Sequence, residues 1–480
     1  MNEDQAKQYN DTPRSTPRRP WYAGLALPAA KIARTISRLT HHGGSALPGR
    51  VVERMDPTFL ASTLAQLPMG VVLVSGTNGK TTTTRMVSSM LQSLGLKVFT
   101  NPTGSNFTRG VISALVEHMT VLGGRKLDAD IAVLELDEAY AVHFVKQVHP
   151  RYTLLLNVMR DQLDRFGEID NTARLLGSVA AATTGTLVLN REDPRIAQLA
   201  QLAHHGTNIR YFGLADSLLS YFPSDDEMHE LDQVGAGADE SNAKEPHEPS
   251  LQQRRLDARP QHELKAEVVL KSVGDHRASF VIAGRERSTP VKLEGVYNLY
   301  NAAAALAIVR AVLADKSSAA APSDERLLQA LSTVTPAFGR GEVITYRGVP
   351  IDLVLVKNPM GFRLALSSFS PADTDTMIAI RDEYADGRDM SWLWDVDFSS
   401  LRTEGVSMVS GTRAYDMALR LDYDQVPVVQ VEPDLALALG QFVDMHPSRR
   451  KRIYCTYTAM LNVRTALGKM THVSDVGVGA

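Results

Sequence analysis

The chain of 480 residues contains one cysteine, Cys455. A single thiol rules out an internal disulfide framework and any zinc site built on several cysteines. Following Ile453 and Tyr454 in an apolar run, Cys455 reads as a small buried residue. Charge of one sign is also scarce. The 51 Lys and Arg face 54 Asp and Glu, a net charge of −3, so no global basic field exists to hold nucleic acid. No window approaches the about 18 consecutive apolar residues of a membrane span. The stretch from Trp21 to Ala33 follows Arg18 and Arg19 as a leader would. Pro28 and Lys31 interrupt it, however, and Glu3 and Asp4 precede it, so a cytoplasmic chain is expected.

What is present is the composition of a soluble globular protein, 44% hydrophobic and 22% charged, in a chain long enough for two or three domains. Residues 1–20 are polar and rich in Pro and Arg, which predicts a disordered tail. Ala30, Ile32, Ala33, Ile36 and Leu39 then recur at helical spacing between Lys31, Arg34 and Arg38. That helix either packs on the body or lies on a membrane surface, and packing is the simpler expectation.

From Gly70 short β-branched runs alternate with helical segments: 70–74, 96–100, 131–136, 152–157 and 185–190 read as strands. The alternation predicts an α/β fold, a doubly wound parallel sheet. Residues 224–262 are acidic, then rich in Gln and Arg, and read as disordered. The runs 209–212, 266–270 and 278–282 around them suggest a small antiparallel lobe. A helix is expected over 298–313 and a boundary near 318–342. Strands at 352–356, 376–380, 406–410, 428–431 and 452–455 then form a second, Rossmann-like α/β domain. The expected units are therefore 21–335, with a β-rich and disordered insertion at 214–285, and 336–480.

The most informative segment runs from Val74 to Thr82, Val-Ser-Gly-Thr-Asn-Gly-Lys-Thr-Thr. A glycine-bearing turn between a strand and a helix aims backbone N–H groups and the positive end of the helix dipole at one point. Lys80 adds a mobile cation for the β- and γ-phosphates, and the Thr81 hydroxyl suits Mg²⁺. The general Walker spacing fails, because Val74 stands where its first glycine belongs. What remains is the shorter Gly76-Thr77-Asn78-Gly79-Lys80-Thr81.

This loop resembles the ATP loop of the Mur ligases and folylpolyglutamate synthases, which make an amide by first phosphorylating a carboxylate. The resemblance implies nucleotide contacts at Gly76, Thr77, Asn78, Gly79, Lys80, Thr81 and Thr82, and Mg²⁺ ligands at Thr81 and Glu135. Arg160-Asp161-Gln162-Leu163-Asp164 is similar to a metal-binding element, but Gln162 stands where a His is usual. Tyr297-Asn298-x-x-Asn301 resembles the element beside the nucleotide. Gly339-Arg340-Gly341-Glu342 resembles a linker whose Arg340 would reach the phosphates.

The second half narrows the resemblance. Val356-Lys357-Asn358-Pro359-Met360-Gly361-Phe362 lacks the His of amino-acid-adding Mur ligases. Ala385-Asp386-Gly387-Arg388-Asp389-Met390-Ser391-Trp392 adds an unusual cluster. Together with Val409-Ser410-Gly411-Thr412-Arg413 these elements resemble the ligase subunits of lipid II isoglutaminyl synthases, a branch of the Mur family. That implies ATP, Mg²⁺ and a GatD-like glutaminase subunit as partner in a heterodimer. It also implies a lipid II substrate at the inner membrane face, and Asp389 as the carboxylate that orients the partner's catalytic His. Asp386 is the neighbouring candidate, more simply a turn residue. Members of this branch often carry a four-cysteine zinc ribbon; with no cysteine in 214–285, no zinc is expected. Three other readings compete: a stand-alone amino-acid ligase, a P-loop switch or kinase, and a non-catalytic scaffold.

Overall fold

The computed structural model describes residues 20–39, 47–101, 106–119, 126–159, 169–222, 260–274, 277–293, 296–315, 323–335, 340–383, 386–387 and 389–473. Two sheets organise it. The first contains β1 (Val71–Ser75), β2 (Val98–Thr100), β3 (Ile131–Glu135), β4 (Tyr152–Leu155), β5 (Thr186–Asn190), β6 (Asn208–Leu214), β7 (Val268–Gly274), β8 (Arg277–Ile282) and β9 (Arg285–Pro290). Their spatial order is β2-β3-β1-β4-β5-β6-β7-β8-β9. The second contains β10 (Arg340–Tyr346), β11 (Val349–Leu355), β12 (Thr374–Ala379), β13 (Met408–Ser410), β14 (Val431–Glu432) and β15 (Arg450–Cys455), in the order β10-β11-β15-β12-β13-β14.

β1 shows why these runs are strands. All five of its residues are buried, and alternate side chains enter different cores: Val72 and Val74 one, Val71 and Leu73 the other. Strands buried on both faces need helices on both sides, and burying each such Val or Leu contributes about 1.5–3 kcal/mol. On one side lie α1 (Ala26–Leu39), α2 (Leu47–Met55) and the helix Thr108–His118. On the other lie α3 (Lys80–Ser93) and α4 (Val296–Ala314). The run Ala302–Ala305 is fully buried in α4, and its small side chains let the helix approach α3 and the sheet closely. By length and composition α4 would suit a membrane span, but it is packed inside the molecule.

Three expectations need correction. The strands around the insertion form no separate lobe. β6 pairs in parallel with β5 and with β7, and only β7-β8-β9 are antiparallel, so they extend the same sheet to its edge. Backbone pairing with β6 satisfies the inner edge of β7, which a free lobe would leave open. The expected disorder over 224–262 also fails at its end. Pro260–Glu263 form a 3₁₀ turn, and His262 bridges Glu192 Oε2 (2.6 Å) and Asp216 Oδ1 (3.0 Å). Residues 223–259 lie outside the described part, as does the tail at 1–19. The strand expected at 428–431 is shorter than that range. Val428 makes only a bridge to Val406, and pairing resumes at β14. In the boundary region the helix Asp324–Thr333 packs against α3.

Candidate active site at the phosphate loop

The loop leaves β1 where its neighbours, β3 and β4, diverge to opposite sides, the place where open α/β sheets open a crevice. Gly76 (φ +130°) and Gly79 (φ +86°) take backbone conformations that side chains disfavour. Space is denied there too: a Cβ on Gly76 would lie 2.9 Å from the Asn157 nitrogen, and one on Gly79 2.5 Å from Asn301 Oδ1. Gly79 precedes α3, whose first-turn N–H groups, including those of Thr81 and Thr82, have no partner within the helix.

Lys80 is buried, and its ammonium donates to the Gly76 carbonyl at 2.6 Å and the Thr77 carbonyl at 3.2 Å. It also pairs with Asp137 at 3.1 Å and Glu138 at 3.5 Å. Neither acid was singled out from the sequence, although both stand in the Leu134-Glu135-Leu136-Asp137-Glu138 run that revealed Glu135. The Thr81 hydroxyl donates to Glu135 Oε1 at 2.8 Å. Asn101 holds the Glu135 backbone from both sides, accepting from its N–H and donating to its carbonyl, each at 2.9 Å.

Asn157 shapes the loop. Its carbonyl accepts from Thr77 N (2.9 Å), its side-chain oxygen accepts from Asn78 N (2.8 Å), and its amide donates to the Asn78 carbonyl (3.1 Å). The second domain reaches the same place. Asn78 and Asn358 exchange side-chain hydrogen bonds at 3.1 and 3.4 Å, and Lys357 Nζ donates to the Thr77 carbonyl at 3.5 Å. Asn358 is also the N-cap of α5 (Pro359–Ser368), accepting from Gly361 N at 2.7 Å. The sequence carried a signal for Lys357 and Asn358 in their dipeptide before Pro359, but nothing to say that they touch residues 280 positions away.

A triphosphate fits these residues on two observations. Gly79 keeps the loop's cradle free of a side chain, since a Cβ there would collide with Asn301 Oδ1 at 2.5 Å. Asn301 Nδ2, on α4 beside it, is buried with no protein partner among the described residues. Thr81 and Glu135 together offer the hard oxygen donors that Mg²⁺ prefers. Arg340 opens β10 opposite Val354, but its side chain lies outside the described residues, as do Gly339, Gln162 and Arg388.

The second domain gathers another cluster at the carboxyl ends of β12, β13 and β15. Asp386 is buried. Its carboxylate accepts from the Thr458 N–H at 2.7 Å, from the Thr458 hydroxyl, and from Glu383 N at 3.2 Å. Those bonds make it a tie between loops. Asp389 is exposed instead, accepting from Ser391 N at 2.9 Å. Hydrogen bonds from the Ser391 hydroxyl and N–H hold its carboxyl below the usual carboxylate range. Cys455 is fully buried, and burial pushes its thiol far up, so it supplies no nucleophile.

Comparison with known proteins agrees with this arrangement. Residues 74–309 match the Mur ligase middle domain, and residues 355–460 match the MurT ligase C-terminal domain. Among solved structures, MurF from Acinetobacter baumannii superposes with a TM-score of 0.62 at 17% identity, covering 88% of this chain and 80% of that one. MurF from Thermotoga maritima in complex with ADP gives 0.61 at 15% identity, covering 88% and 83%. Fold and loop thus define an ATP-dependent ligase of the Mur class. Lipid II isoglutaminyl synthase (glutamine-hydrolyzing) subunit MurT from Streptococcus pneumoniae is 30% identical over 447 residues, 88% of this chain and 92% of that protein. The Staphylococcus aureus counterpart is 28% identical over 436 residues, 87% and 92%. The chain belongs to the MurT family.

Proposed function

We propose that this chain is the ligase subunit of a glutamine-dependent amidotransferase that converts D-glutamate in the lipid II stem peptide to D-isoglutamine. A carboxylate resists attack because resonance and negative charge repel a nucleophile. The α-carboxylate oxygen attacks the γ-phosphorus of ATP and ADP leaves. Ammonia then attacks the acyl carbon, phosphate departs with the C–O bond, and the amide loses a proton. In this reading Lys80 exchanges its bonds to Asp137 and Glu138 for phosphate oxygens. The first turn of α3 and Asn301 orient the nucleotide, while Thr81 and Glu135 hold Mg²⁺. Bound there, the metal would supply charge neutralisation between the phosphates.

The carrying observation is a complete phosphate loop in a chain whose one thiol is buried and unreactive. A glutamine-hydrolysing enzyme built on it needs its nucleophile from a second chain, and a GatD-like glutaminase subunit answers that need. A surface suits such a partner: α6 (Ala414–Tyr423) exposes Tyr415, Leu419 and Tyr423 at four-residue spacing. Trp394, 47% exposed, packs edge-on against Tyr423 with ring centroids 5.2 Å apart, five residues along from Asp389. We assign Asp389 to orient the partner's catalytic imidazole by accepting its N–H.

Two variants test this reading. Lys80→Ala should abolish ATP-dependent amidation while leaving complex formation intact; full amidation by that variant sinks the ligase role. Asp389→Asn should remove glutamine-driven amidation but spare the reaction with added ammonium. Equal loss with both nitrogen sources refutes the orienting role.

A further inference from the structure

We propose that the 3₁₀ turn Trp21–Leu25 and the outer face of α1 form a docking surface for an anionic phospholipid bilayer. Four large apolar side chains stand in water there: Trp21 is 92% exposed, Ile32 61%, Leu25 60% and Tyr22 39%. Trp21 and Tyr22 meet edge to face, ring centroids 5.6 Å apart. The other side of the same segment already holds it to the body, since Ala23, Ala26, Leu27 and Ala30 are buried and Arg34 pairs with Glu117. The segment therefore has two apolar faces, and the protein covers one. α2, packed beside α1, exposes Leu47 at 43%.

Charge selects the occupant. From residue 12 to residue 52 the sequence has no Asp or Glu and seven Arg or Lys, Arg18, Arg19 and Lys31 among them, in a molecule of net charge −3. Exposed Trp and Tyr beside an acid-free basic segment match the headgroup layer of an anionic leaflet, where aromatic rings sit at the interface and each cation gains from the surface potential. A second copy of the chain is the wrong occupant, because a symmetric contact would bring two such basic segments together. The surface deepens the lipid-linked substrate reading, but stands on its own side chains and charges.

The experiment is co-sedimentation of the full chain with phosphatidylcholine vesicles, with and without about one-third phosphatidylglycerol. Binding should require the anionic lipid and weaken at high salt. It should fall by about tenfold or more in the combined variant Trp21→Ser, Leu25→Ser, Ile32→Ser. Trp21→Phe should keep binding yet lose the quenching of tryptophan emission by nitroxide-labelled lipid, a readout that holds even if the triple variant proves unstable. Failure to bind anionic vesicles, equal binding by a folded triple variant, or unchanged quenching in Trp21→Phe each overturns the proposal. So does dimerisation through this face, seen by sedimentation velocity. Amidation of a lipid-free stem peptide tests the substrate reading separately, and should be unaffected by all of these variants.

Discussion

Gly79 has room for a hydrogen and nothing larger, because Asn301 Oδ1 occupies the direction a side chain would take. Gly79→Ala should cost about 1–3 kcal/mol in urea denaturation from its left-handed φ, and should lower nucleotide affinity further by displacing Asn301. Gly95 supplies the control: its φ of +89° is similar, but a Cβ there meets nothing within 4 Å. Gly95→Ala should lose stability and keep nucleotide affinity; equal affinity losses in both variants would contradict the cradle. At this scale the loop residues were legible because a glycine-lysine-threonine turn between strand and helix has a narrow chemistry. Asn157, Asp137 and Glu138 were less so, since an Asn or an acid at a strand end has many ordinary uses.

Among elements, the turn Pro260–Glu263 gives the clearest pH dependence. His262 donates to Glu192 and Asp216, and the Glu192 hydrogen bond above all holds its imidazole above the usual 6.5, although burial and Arg191 oppose this. The folded pKa is thus the higher one. The contribution to stability is complete below about pH 6.5 and disappears as pH rises through the folded value. Thermal melts of the wild type should therefore lose stability above neutrality more steeply than those of His262→Gln, and amide exchange around Asp216 and His262 should quicken over the same range. Parallel melting curves would contradict the clamp. Composition could not reveal this element, because a His in a polar run carries no signal until Arg191 and Glu192, just past the end of β5, are brought beside it. The strands themselves were legible from their β-branched runs. Their grouping was not, because antiparallel β7-β8-β9 and parallel β6 have similar alternation, and only pairing partners distinguish a lobe from a sheet edge.

The whole molecule turns on the contact between its two sheets at the loop. Asn358 caps α5 and grips Asn78 with one side chain, so the second domain's first helix and the first domain's phosphate loop share a residue. Asn358→Ala should cost about 1 kcal/mol for the lost cap, and should reduce turnover with ATP more than it raises the KM for ATP, since the loop itself is intact. Unaltered turnover would show that the contact has no part in catalysis. Saturating nucleotide should stabilise the wild type by about 2.7 kcal/mol at a hundredfold excess over Kd, in differential scanning calorimetry. Lys80→Ala should lose most of that gain.

The sequence by itself determined the glycine-lysine-threonine loop between strand and helix, the alternation that makes both domains α/β, and the family, because each depends on residues adjacent in the chain. It also pointed to Cys455 as a buried strand residue, since the thiol follows Ile453 and Tyr454 in an apolar run. Tertiary structure alone decided which acids hold Lys80, that Asp386 is a buried tie while Asp389 stays exposed, and that Asn358 meets Asn78. It also decided that the N-terminal segment turns a second apolar face to water. These depend on burial and on partners far apart in the chain, and the order of residues does not encode such contacts locally.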